Sequence, residues 1–212
     1  ARLLPSGASI PGSANTSKRP ETRQQPGRDQ EEQTHQRNAD LQAQHCTVLP
    51  FTRNAIGSMD FTPIVFNPRI RGVRLKTTLA FELALSVVFE SGIQHFGLVP
   101  EEYELMPAYV VEFLQTVPTA WDTTRFVDGY PGQYVVIARK SGETWTIAGI
   151  NGTDDKKNLS VDLSFIPANA KGTLITDGTG RTFTQTMLEK SALQKATIEM
   201  QPRGGFVIVV KP

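Results

Sequence analysis

Tyr134-Val135-Val136-Ile137-Ala138-Arg139-Lys140, then Ser141-Gly142-Glu143, then Thr144-Trp145-Thr146-Ile147-Ala148-Gly149-Ile150, is the stretch whose reading decides the fold. Two runs rich in β-branched residues, parted by a short glycine-containing turn, form a β-hairpin. In the second run Trp145 and Ile147 share a face with Gly149, while Thr144 and Thr146 face the other way. Working outward toward the C-terminus, the same pattern predicts strands over 159–165, 172–176, 192–200 and 205–211. A less regular one lies over 122–128, and Asn151-Gly152 opens the turn after the hairpin. Six or seven short strands with turn residues between them predict an antiparallel β-sandwich of about 95 residues.

Working toward the N-terminus, the period changes to that of a helix. Leu79, Leu83, Val87 and Ile93, with Phe81, Leu85, Val88 and Phe89, leave only a thin polar stripe and predict a buried helix over 77–96. Thr77 or Thr78 is placed to cap its start and Gly97 to close its end. His95 falls in its last turn, where a structural or capping role fits better than a catalytic one. Pro100-Glu101-Glu102 starts a second helical piece, which breaks at Pro107 and resumes through Leu114. Thr47-Val48-Leu49-Pro50-Phe51 reads as a short strand stopped by proline. Before it, residues 1–45 hold nine hydrophobic residues and no aromatic. That composition cannot offset the entropy of ordering, so the segment is expected to be disordered.

Over 212 residues, Lys+Arg 22 against Asp+Glu 21 gives a net charge of +1, so nothing favours nucleic acid or an anionic membrane. A single cysteine, Cys46, excludes an internal disulfide and a multi-thiolate metal site. No apolar run reaches the roughly 18 residues of a membrane span, and Leu3-Leu4 is too short for a signal-peptide core. Asp154-Asp155-Lys156-Lys157 is too short for a calcium loop, and Asp177-Gly178-Thr179-Gly180 reads as a turn. Arg53 and Asp60 flank a polar loop, where a salt bridge is their plainer role. Trp121, Tyr130 and Trp145 could form a sugar-stacking platform, with burial in the core the stronger alternative.

Two stretches together resemble glycoside hydrolase family 97. One is Leu49-Pro50-Phe51-Thr52-Arg53-Asn54 with Gly57-Ser58-Met59-Asp60-Phe61-Thr62-Pro63. The other runs from Val117-Pro118-Thr119-Ala120-Trp121-Asp122 through Asp128-Gly129-Tyr130-Pro131-Gly132 to Ala148-Gly149-Ile150-Asn151-Gly152. The resemblance spans about residues 44–212 and implies an α-glucosidase or α-galactosidase, calcium-dependent and exported to the periplasm or beyond. It implies an α+β fragment in three parts: a disordered or non-homologous segment 1–45, the last strand and helices of a (β/α)8 barrel over 46–115, and a β-sandwich oligomerisation domain over 116–212. A homo-oligomer through that last domain and an oligo- or disaccharide substrate for the intact enzyme follow from the same resemblance.

On the family pattern, Arg53 and Asp60 lie at the rim of the barrel mouth and become substrate-pocket candidates. The general-acid glutamate expected six residues before Pro50 is replaced by Gln44, which cannot protonate a leaving oxygen. No catalytic carboxylate is therefore expected intact, no metal ligand is assigned, and the chain is expected to be inactive by itself. The resemblance stops at Gln44, an edge that a frameshift or a displaced gene start would produce. A stand-alone β-sandwich for oligomerisation or carbohydrate binding is the alternative.

Overall fold

The computed structural model describes residues 26–67, 72–167, 170–189, 193 and 195–211. Among the described residues, eight strands make two antiparallel layers. Strands β1 (Thr123–Tyr130), β2 (Tyr134–Ser141), β3 (Thr144–Asn151), β5 (Lys171–Asp177), β6 (Phe183–Leu188) and β8 (Gly205–Lys211) form one sheet in the order β1-β2-β3-β8-β5-β6. Strands β4 (Lys157–Asp162) and β7 (Lys195–Met200) pair apart from it. The hairpin that anchors the sequence reading is present, with Ser141 opposite Thr144 and Gly142 at a φ of 56° in the turn. The turn at Asp177–Gly180 is present too, closed by the Gly178 N–H on the Thr182 carbonyl at 2.9 Å.

The sheet has two different coverings. Val136, Ala138, Ile147, Phe206, Ile208 and Val210 face the β4–β7 pair, where Leu159, Val161, Ala196, Ile198 and Met200 complete an apolar core. Val135, Ile137, Ala148, Ile150 and Val207 face the opposite way, onto helix α3 (Leu79–Val88). Each buried Val, Leu, Ile, Phe or Met side chain among them contributes about 1.5–3 kcal/mol. The second layer of the expected sandwich is thus only two strands wide, and helices cover the sheet's other face. Gly205 explains how closely α3 approaches: a Cβ there would stand 2.8 Å from both the Ala80 carbonyl oxygen and the Phe81 Cα.

Three expectations are corrected. Residues 26–45, expected to be disordered, belong to helix α1 (Pro26–Val48). Its polar sequence hides a stripe of small residues, Ala39, Ala43 and Cys46, all buried at helical spacing. Gly152 lets this stripe dock against the sheet, because a Cβ there would lie 3.1 Å from the Ala43 carbonyl oxygen. Arg203 fastens α1 further by donating to the Asp40 carbonyl at 2.6 Å. Residues 1–25 of the expected disordered segment lie outside the described residues.

The expected barrel strand over 47–51 is instead the end of α1 followed by a 3₁₀ turn, Leu49–Phe51, with Pro50 in its first positions. Proline supplies no N–H to a ladder, and Thr47 is buried against Gly152 rather than beside a strand. Helix α2 (Arg53–Ile56) follows directly. The helix expected over 77–96 ends at Val88, so Gly97 closes nothing and His95 lies exposed in the segment beyond. Two further helices, α4 (Pro100–Glu104) and α5 (Ala108–Thr116), part at Pro107 as the sequence predicts. Strand β6 was not predicted, because its Thr-rich residues are mostly exposed along a sheet edge.

Candidate functional site

Helix α3 is held at both ends by ionisable side chains from the sheet. At its start the Thr78 hydroxyl accepts the Phe81 N–H at 3.1 Å. Asp177 of β5 accepts the Thr78 hydroxyl at 2.8 Å and the Ala80 N–H at 3.1 Å. At its end Arg139 of β2 donates to the Val87 carbonyl at 2.6 Å and the Val88 carbonyl at 3.1 Å. A carboxylate at the N-terminus and a guanidinium at the C-terminus match the helix dipole and satisfy its free backbone groups. Arg139 thus satisfies carbonyls that α3 leaves free where it stops at Val88. Burial pushes the Asp177 carboxyl upward against its donors, and burial lowers Arg139 against the charge of Glu90.

Glu82, on the same helix, is a third buried ionisable group. Its carboxylate accepts the Thr77 hydroxyl at 2.6 Å and the Gln42 amide of α1 at 3.0 Å. Burial pushes it up to about 7, while Thr77, the Val65 N–H, Arg181 and Gln42 pull in the opposite sense. Arg181 itself donates to the Thr77 carbonyl at 3.0 Å and the Phe66 carbonyl at 2.6 Å. These groups join the helices to the sheet. Glu82 is bonded to Thr77 and Gln42, and Asp177 to the start of α3 and the Gly205 N–H, so both carboxyls are engaged within the fold.

The predicted site residues do not converge. Arg53 is exposed and donates to the carbonyls of Gly57 at 3.2 Å and Ser58 at 2.9 Å, closing its own loop rather than pairing with Asp60. Asp60, also exposed, lines an open groove of about 760 Å³ with Met59, Phe61, Leu49 and the α1 residues Gln42 and His45. Gln44 is exposed on α1, beside Gly132 of the β1–β2 turn. Trp145 packs edge-on to Phe165 in the strand-pair core, whereas Trp121 packs on the helix-side core. With the sheet between them, they form no shared platform. Among the described residues no group of three His, Cys, Asp or Glu is placed to hold a metal ion. The calcium implied by the family resemblance finds no ligand set in them.

The Leu49–Asn54 motif instead borders a second cleft of about 280 Å³. Phe51, Asn54 and Ala55 form one wall, and Glu90, Thr124, Phe126 and Arg139 form the other. Asn54 shapes it by accepting the Glu90 N–H at 2.8 Å and donating to the Glu90 carbonyl at 3.1 Å. Arg139 donates to the Thr124 hydroxyl at 2.8 Å and stands 3.8 Å from a Glu90 carboxylate oxygen. Phe126 is 56% exposed and meets Phe51 edge-on with centroids 5.6 Å apart. Sequence reasoning missed Glu90, Thr124, Phe126 and Arg139. The available signal was Arg139, a charge directly after the apolar run Val135–Ala138 of an inner strand.

Residues 120–211 match the family described as glycosyl-hydrolase 97 C-terminal, oligomerisation. Over 190 residues, 80% of the chain, it is 30% identical to the retaining α-galactosidase of Bacteroides thetaiotaomicron. The chain resembles glycoside hydrolase family 97, whose C-terminal domain it matches over residues 120–211. It resembles the C-terminal part of these glycosidases, spanning 28% of the Bacteroides enzyme. A probable retaining α-galactosidase of Streptomyces bingchenggensis is 50% identical over 107 residues, 50% of this chain and 16% of that one. Among solved structures, a β-arabinopyranosidase superposes with a TM-score of 0.74 at 35% identity, covering 82% of this chain and 28% of that chain. A family 97 enzyme of Pseudoalteromonas sp. strain K8 in complex with panose gives 0.70 at 28% identity, covering 83% and 30%.

Proposed function

We infer that this chain works as the C-terminal part of a family 97 glycosidase acting on α-galactosides or α-glucosides. In this reading residues 46–115 belong to the catalytic part, and 116–212 form the domain through which copies associate. The observation that carries it is the reach of the similarity: it extends over 190 residues, taking in sequence beyond the 120–211 domain. Hydrolysis itself needs two carboxylates about 5–5.5 Å apart for retention or about 6.5–9.5 Å for inversion, both facing the sugar. Here Gln44 stands at the presumed acid position, while buried Glu82 is bonded to Thr77 and Gln42 and Asp177 to the start of α3. The acid–base pair of the intact enzyme is therefore assigned to family 97 sequence that this chain does not match.

The test is incubation of the purified chain with p-nitrophenyl α-galactoside and α-glucoside, with and without calcium. No release of nitrophenol is expected. Turnover above a heat-killed control would overturn the assignment of the chemistry to other sequence.

A further inference from the structure

The cleft beside the Leu49–Asn54 motif holds groups that the fold's own bonding does not use up. One Glu90 oxygen accepts the Ser58 hydroxyl at 3.3 Å, and the other stands 3.8 Å from the Arg139 guanidinium. That separation is too long for a direct hydrogen bond. It suits one bridging hydroxyl, which can accept from the guanidinium and donate to the carboxylate at normal lengths. The two charges balance, so the pair favours a neutral polyhydroxylated ligand over an anion or a cation.

The aromatic side of the cleft complements this pair. Phe126 exposes more than half its surface on edge strand β1, and the ladder slips immediately after it, between Phe126 and Asp128. A bulge of this kind re-aims neighbouring side chains and recurs beside binding sites. A sugar ring has both surfaces this cleft matches: an apolar C–H face for the phenyl ring and vicinal hydroxyls for the ion pair. At about 280 Å³ the cleft lies just below the 300–1,000 Å³ of drug-sized ligand pockets, room for one ring rather than a chain. We propose that it is a monosaccharide subsite, in which a neutral pyranose stacks on Phe126 and bridges Glu90 and Arg139 through one hydroxyl. The proposal stands on the chemistry of the cleft and not on the hydrolytic reading above.

The test is titration of the full chain with methyl α-D-galactopyranoside, followed by amide chemical shifts and by calorimetry. Saturable shifts at Ala55, Thr124 and Phe126 with a Kd of about 1 mM are expected. Phe126→Ala and Glu90→Gln, both at solvent-accessible side chains, each weaken binding by about tenfold or more while leaving the melting temperature in place. Met187→Ala, on edge strand β6 and outside the cleft, leaves the affinity unchanged. D-Galacturonate binds no more tightly than the neutral galactoside. Absence of saturable shifts, affinity unchanged in both cleft variants, or tighter binding of galacturonate would overturn the proposal.

Discussion

The two faces of the six-stranded sheet are covered by different chemistry. Against β4 and β7 the contact is apolar, with Phe206, Ile208 and Met200 fully buried between the layers. Against α3 the apolar contact is framed by ionisable groups at the helix ends: Asp177 at its start and Arg139 at its end. The difference has a physical cause. Paired strands satisfy their own backbone groups, so a strand layer needs only shape and apolar area. A ten-residue helix leaves backbone groups free at each end, and burying those ends requires partners. The ionisable groups at the helix ends are therefore structural necessities of covering a sheet with a short buried helix.

The sharpest way to break this comparison is a matched pair of truncations. Phe206→Ala on the strand-pair face and Phe81→Ala on the helix face remove rings that are both fully buried. Each is expected to lower stability by about 4 kcal/mol in urea unfolding. A much smaller cost for Phe81→Ala would mean that the helix layer is not integral to the fold. Next in size is Arg139→Met, which keeps apolar bulk but strips the Val87 and Val88 carbonyls of their donor. A loss of about 3 kcal/mol is expected. The smallest effect is a pH dependence. Glu82 lies near 4.5 when unfolded and is pushed up to about 7 by burial, so the folded state holds its proton more tightly. Its contribution is complete below about pH 4.5 and is lost as pH rises through 7, an expected decline of about 2 kcal/mol after allowing for relaxation. Glu82→Gln should remove that part of the slope in a comparison of unfolding curves at several pH values.

What was legible in the sequence follows the same division. The hairpin of β2 and β3, strand β8 and the break at Pro107 were readable because their signals are local: alternation, turn glycines and a proline. Helix α3 was recognisable by its apolar residues, but its end was not, because the Arg139 that satisfies that end lies in a strand 51 residues further along the chain. Helix α1 was hidden for the opposite reason. Its buried stripe is three small residues in a polar sequence, meaningful only once Gly152 offers a surface to dock on. The candidate residues fared likewise. Arg53 and Asp60 were conspicuous by type and neighbourhood, yet Arg53 closes its own loop. The cleft assembles Phe51 with Glu90 and Phe126, and no local pattern joins those three.

The central claim is that helix α3 and the sheet form one cooperative unit, rather than a folded sheet trailing a loosely attached helical segment. Native-state hydrogen exchange tests this most directly. The amides of Leu83–Val88 are expected to exchange with the same opening free energy, and the same denaturant dependence, as those of Ile147–Ile150 and Phe206–Val209. Exchange from α3 through a separate, lower-energy opening while β3 and β8 stay protected would contradict the account.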